Sequence, residues 1–307
     1  MMRRRLLPLC AFALATAVIA SGGAGATGER PPIQGQPGPH GFIDDESVMR
    51  DVDCDTAQLA GPAATSEAHL IGAPKLNLDV LVMVDSAQGA AIAAIRNPKS
   101  RAAAQRRLFE ATRKSLAVSV QSYEPLDIAL RYDDFLLLQP LVEGKPRERT
   151  DNAEEIIALA KEQLGGERRK DVDVVYVVTD VDIQVPGIGK GVAGLADCIG
   201  GVALADRAFA VGETGVIVKD SGIPIGPVTF YKDLTAKIAA HEIGHLMGGH
   251  HHYQECGTPA VTAAGRGEPG PCSIMSNFVD FQTIPFSTVN GIVVRGHAEE
   301  WASRNDR

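Results

Sequence analysis

Residues 239–256 read AAHEIGHLMGGHHHYQEC and place five histidines in the twelve positions from His241 to His252. His241 and His245 stand four apart, so on an α-helix they project from one face, one turn apart, within reach of a single ion. Glu242 is rotated about the helix axis from that pair, a placement suited to a water on the ion. Gly248 and Gly249 end the helix, because glycine accepts the left-handed geometry of a sharp exit. The turn then swings His251 back as a third nitrogen. His250 and His252 fall outside ligand spacing and are expected to be solvent-exposed or behind the ligands.

Three neutral imidazoles with a fourth position left to water make a catalytic zinc pattern, whereas structural sites fill all four positions, usually with cysteine. The implied chemistry is hydrolysis of a peptide bond without a covalent intermediate. Zinc polarises the scissile carbonyl and acidifies its water, while Glu242 takes that water's proton and delivers it to the leaving amine. The expected cofactor is one catalytic zinc ion. Calcium at Asp or Glu clusters is compatible with the composition, but no loop of calcium ligands is legible.

Upstream of the histidines, helix and strand alternate. LNLDVLVMVD (76–85) is an apolar, β-rich run bounded by acids, the signature of a buried strand. Residues 98–123 begin with proline and carry apolar residues at helical spacing. LDIALRYDDFLLL (126–138) reads as one bent strand or two. DNAEEIIALAKEQLGG gives a capped helix over 151–164, with acids in its first turn and glycines at its end. DVDVVYVVTDVDI (171–183) is a β-branched strand, GVAGLADC (191–198) and GVIVKD (215–220) are shorter strand candidates, and a helix runs from about residue 229 or 231 to Gly248. The alternation implies an α/β fold with a mainly parallel twisted sheet and helical crossovers. NGIVVRGHAEEW (290–301) reads as a C-terminal helix, with His297 on its surface.

The chain has 307 residues and a formal charge of −8. Nucleic acid is excluded as a partner, because a polyanion would be repelled. MMRRR followed by LLPLCAFALATAVIA and the small residues Ala24-Gly25-Ala26 reads as a signal peptide over 1–26. Its removal makes the product more negative by three arginines. No later run reaches 18 apolar residues, so no stable membrane association is expected after cleavage, and the product is expected to be secreted. Residues 27–75 are rich in proline, glycine and acids without periodicity, an extension or propeptide before a folded domain over 76–307.

Cleavage would also remove Cys10 and leave Cys54, Cys198, Cys256 and Cys272. An even count in an exported chain favours disulfides. Cys256 and Cys272 flank a Gly/Pro-rich loop that a bridge would close, which leaves Cys54 to pair with Cys198. His40, His69 and the acid pairs Asp44-Asp45 and Asp133-Asp134 are expected to be solvated.

The extended pattern H-E-I-G-H-L-M-G-G-H-H at 241–251, with the later methionine of CSIMS, resembles the metzincin zinc peptidases, within them the reprolysin (adamalysin) group. LDVLVMVD is similar to the first strand of that group and GVAGLADC to its antiparallel edge strand. The likeness spans residues 76–307. It implies a five-stranded twisted sheet, a long active-site helix and a C-terminal subdomain in which Met275 forms a Met-turn beneath the metal. It also implies a substrate-binding edge strand at Gly191, Val192, Ala193, Gly194, Leu195 and Ala196, and protein or peptide substrates. It offers Cys54 an alternative role as a propeptide thiolate on the zinc, although the acidic surroundings DVDCDTA raise a thiol pKa and favour the disulfide.

The chain departs from the group at several points. His252 stands where adamalysins usually have aspartate, Cys272 lies three residues before Met275 instead of two, and Asn277 replaces the tyrosine that astacins and serralysins place there. Serralysin nonapeptides and disintegrin-like modules are absent. Two competing readings share the histidines: a latent or non-catalytic zinc-binding secreted protein, and a zinc amidase acting on cell-wall peptides. An intact Glu242 argues against a pure binder.

Overall fold

The computed structural model describes residues 75–186, 189–190, 192–214, 229–251, 273–275 and 285–302. Its centre is a five-stranded sheet of β1 (Leu76–Asp85), β2 (Ile128–Leu137), β3 (Val174–Thr179), β4 (Gly194–Ala196) and β5 (Phe209–Glu213). The order across the sheet is β2-β1-β3-β5-β4. The first four strands in that order run parallel, and β4 pairs antiparallel with β5 at the edge. The expected α/β architecture with an antiparallel edge strand is therefore the one observed. Every residue of VVYVVT in β3 is buried, as expected for a strand covered on both faces.

The helices are α1 (Ala87–Ala93), α2 (Pro98–Leu116), α3 (Ala153–Leu164), α4 (Thr229–Leu246) and α5 (Thr288–Trp301). Local chemistry sets their ends. Asn97 and Asn152 cap α2 and α3 by accepting amides of the first turn, and Gly165 closes α3 in the left-handed conformation at φ 86°. The helix expected over 98–123 is divided: after Leu116 the chain tightens into a 3₁₀ turn and a short helical turn that ends at Tyr123. Thr112, Ser115 and Ser119 each bond a carbonyl three or four residues back, which competes with regular helix geometry.

The strand expected over 126–138 begins at Ile128, because Asp127 turns left-handed at φ 54° and closes the preceding 3₁₀ turn. The long reading at 171–183 shrinks to six residues and that at 191–198 to three. The candidate at 215–220 lies outside the described residues. The strand in that part of the chain is β5, whose FAVGE is too short and too glycine-containing to announce itself.

Two anchors hold this frame. Asp85, 2% exposed at the end of β1, accepts from Arg147 at 2.9 Å and Arg149 at 3.1 Å, which ties the segment after β2 to the sheet. On the other side, the Tyr123 hydroxyl donates to the Ala240 carbonyl of α4 at 2.9 Å. That contact fixes the helix one residue before the first histidine.

Candidate metal centre

Helix α4 delivers His241 and His245 from adjacent turns, and both are fully buried. The helix stops in a Schellman motif. Gly248 takes φ 84°, its amide donates to the His245 carbonyl, and the Gly249 amide reaches back to the Gly244 carbonyl, each at 2.8 Å. Only glycine occupies that conformation without strain. A Cβ on Gly248 would also stand 2.6 Å from the His297 Nε2. The reversal brings back His251, 8% exposed, and not His250, which is exposed.

The three Nε2 atoms form a near-equilateral triangle with separations of 3.0, 3.1 and 3.1 Å. Two outer nitrogens fix the tautomer of the neutral rings. The Nδ1 atoms of His241 and His245 lie 2.8 Å from the carbonyls of Ile274 and Gly249, which can only accept, so these rings carry their proton on Nδ1. The lone pairs of their Nε2 atoms therefore point inward together, a repulsive arrangement that a cation at the centre resolves. Tetrahedral coordination at about 2.0–2.1 Å from each nitrogen would set the nitrogens about 3.3 Å apart, close to the separations seen. An all-imidazole set suits zinc, and also copper, iron or nickel. Among the described residues this is the group of His, Cys, Asp and Glu side chains placed to hold a metal.

The surroundings hold the imidazoles in position, and around a metal such outer contacts set ring orientation and basicity. Ile274, whose carbonyl faces His241, sits in the turn Ser273–Met275, where its amide donates to the Pro285 carbonyl and Ser273 Oγ accepts the Met275 amide. Met275 is fully buried beneath α4: a Cβ on Gly244 would stand 2.6 Å from its Sδ. Gly244 lies between the two helical histidines, so the methionine supports the floor of the triangle. Asn290 of α5, 3% exposed, clamps the exit loop by accepting the His250 amide at 3.0 Å and donating to its carbonyl at 2.7 Å. Nothing in the sequence singled out Asn290, since its partner is a backbone 40 residues away.

Glu242 is fully buried, and its carboxylate lies against the sheet edge at Gly194. A Cβ on Gly194 of β4 would stand 2.2 Å from its Oε1. Helix geometry thus separates the acid from the ligands as the sequence spacing implied, and the edge strand leaves a gap for it. Of the six edge-strand candidates, Gly194, Leu195 and Ala196 form β4, Val192 and Ala193 precede it, and Gly191 lies outside the described residues. Cys198 is fully buried, while Cys54, Cys256 and Cys272 lie outside the described residues, as do His40, His69, His252 and Asp44-Asp45. Of the other acid pair, Asp133 is exposed as expected, whereas Asp134 forms an ion pair with Arg169.

His297 corrects an expectation. It is half-buried against Gly248, its Nδ1 has no hydrogen-bond partner among the described residues, and burial followed by nearby His250 lowers its pKa below the usual histidine value. The folded chain thus favours the neutral ring, and the unfolded chain takes up the proton first as pH falls below about 6.5. Stability present above that pH is lost as pH falls through the folded pKa. His297→Gln is expected to flatten this acid limb in the melting temperature of the metal-free protein between about pH 7.5 and 5. An unchanged limb would assign the acid sensitivity to the other histidines.

The reprolysin-like group of metallopeptidase family M12B matches residues 128–252, from β2 through the histidine helix and its exit loop. No curated protein matches the chain. With the sheet order and the buried histidine triangle, this match over residues 128–252 makes the chain similar to the reprolysin-like metallopeptidases, a zinc-dependent group acting on proteins or peptides.

Proposed function

We propose that the protein is an exported metalloendopeptidase in which His241, His245 and His251 hold one zinc ion and Glu242 is the general base. The observation that carries this reading is the meeting of three Nε2 atoms 3.0–3.1 Å apart beside a buried carboxylate turned toward the sheet edge. When bound, the ion supplies Lewis-acid polarisation of a carbonyl and lowers the pKa of water.

The chain's own residues do the rest. The Ile274 and Gly249 carbonyls keep Nδ1 of His241 and His245 protonated, so their Nε2 atoms stay available as ligands. Glu242 accepts the proton of the attacking water and passes it to the leaving amine nitrogen. Among the described residues β4 is paired on one side, with β5, so its other edge can take an extended peptide as an added strand past Glu242. Met275 holds the helical floor in place.

Export is supported by the N-terminal sequence and by the even count of four cysteines that its removal leaves, which suits disulfides. No helix among the described residues is long and apolar enough to cross a membrane. Residues 1–26 act as the signal and 27–75 as an extension or propeptide of the peptidase domain. The test is metal analysis of the purified protein together with cleavage of an unstructured protein such as casein. One zinc per chain is expected, with cleavage abolished by chelation and restored by zinc. Zinc binding without cleavage, before and after removal of 27–75, would instead establish a non-catalytic zinc protein.

A further inference from the structure

Two bare α-carbons form a slot on the α4-facing side of the sheet. Gly194 of β4 and Gly212 of β5 are direct antiparallel partners, so they present the same face. Glu242 fills the Gly194 half, where a Cβ would stand 2.2 Å from Oε1. Tyr176, reaching across from β3, fills the Gly212 half, where a Cβ would stand 2.0 Å from its hydroxyl and 2.7 Å from Ile238 of α4. Cβ positions on directly opposed residues lie about 4.5–5.5 Å apart. The phenol and the carboxylate therefore share one enclosed space beneath the helix.

Tyr176 is fully buried, and its hydroxyl has no hydrogen-bond partner among the described residues. Such a hydroxyl costs stability, and phenylalanine would fill the same volume without it. Packing alone therefore accounts for the ring and not for the oxygen. Burial raises the phenol pKa well above its usual value, and Glu242 is the foremost of the charged or titratable neighbours that raise it further. Glu213, another of those neighbours, follows Gly212 and by strand alternation faces the opposite side of the sheet, where its Oε1 accepts the Ile183 amide at 2.5 Å.

We propose that Tyr176 is a positioning residue for Glu242: its hydroxyl stands beside the carboxylate across the Gly194–Gly212 slot and becomes its hydrogen-bond donor when Glu242 turns to receive the proton of the attacking water. The inference rests on Glu242 being the general base. Tyr176→Phe in the full chain is the test, measured beside Glu242→Ala and the double variant. Loss of an outer-shell partner costs roughly 10- to 100-fold in activity. Tyr176→Phe is accordingly expected to lower kcat by that factor while KM, zinc content and melting temperature stay near or above their wild-type values. In the metal-free proteins, the melting-temperature shift caused by Tyr176→Phe is expected to differ between the wild-type chain and the Glu242→Ala variant.

Wild-type kcat in Tyr176→Phe with additive temperature shifts would overturn the proposal. A lowered melting temperature with kcat and KM both changed would also overturn it, by assigning Tyr176 a structural role. If the wild-type protein binds zinc yet cleaves nothing, the reading of Glu242 as base fails, and the metal-free cycle alone decides whether the two side chains are coupled.

Discussion

Glu242→Ala is expected to lower kcat by on the order of 10²–10⁴-fold, the usual contribution of a positioned general base, while zinc content remains at the wild-type level. The two effects separate because the carboxylate and the ligands are held independently. Glu242 lies over Gly194 at the sheet edge, whereas His241 and His245 are oriented by the carbonyls of Ile274 and Gly249. Removing the carboxylate leaves in place the two carbonyl contacts that orient these rings. Steady-state kinetics and metal stoichiometry on the same preparation are the check. Retained cleavage would place the base on another residue, and lost zinc would make Glu242 part of the metal shell. Glu242→Gln, which keeps the volume, should behave as the alanine variant does, since an amide cannot take up the proton.

Gly194→Ala is expected to cost on the order of 10²-fold in kcat, the effect of displacing a catalytic group by about 1 Å. The added Cβ would stand 2.2 Å from Oε1, 2.6 Å from Cδ and 2.7 Å from Cγ of Glu242. These atoms belong to the outer part of a side chain that can rotate away, so the fold yields at the carboxylate and not at the backbone. Strand pairing is unaffected, because Gly194 meets Gly212 through the main chain and alanine adopts strand geometry. The melting temperature and zinc content should therefore stay close to wild type while turnover collapses. If turnover survives, the carboxylate reaches its working position by a route that does not cross Gly194.

Both predictions concern residues whose roles stood at different depths in the sequence. Glu242 could be read directly from H-E-x-x-H, because helical periodicity alone separates it from the histidine face. Gly194 was legible only as part of a loosely bounded edge strand, and the reason for its missing side chain is a carboxylate 48 positions later in the chain. Met275 was available through the family likeness, but its seat against Gly244 was not. Asn290 and Tyr176 carried no signal at all, since an asparagine in a helix and a tyrosine in a buried strand are ordinary residues until their neighbours are known. His297 was misplaced for the same reason: its helix has exposed and buried positions, and only packing against Gly248 decides which one it occupies.

The sequence by itself determined what depends on near neighbours. The i, i+4 histidines, the double-glycine stop, the capped helix after Asn152 and the β-branched runs of β1 and β3 follow from interactions spanning a few residues. The tertiary structure decided what depends on strand order and helix docking. It placed β3 beside β1 and β5 inside the antiparallel edge, joined Gly194 to Gly212, and set α5 behind the exit loop so that Asn290 clamps the main chain of His250. Those choices rest on main-chain pairing and excluded volume between segments far apart in the chain, which no local pattern encodes.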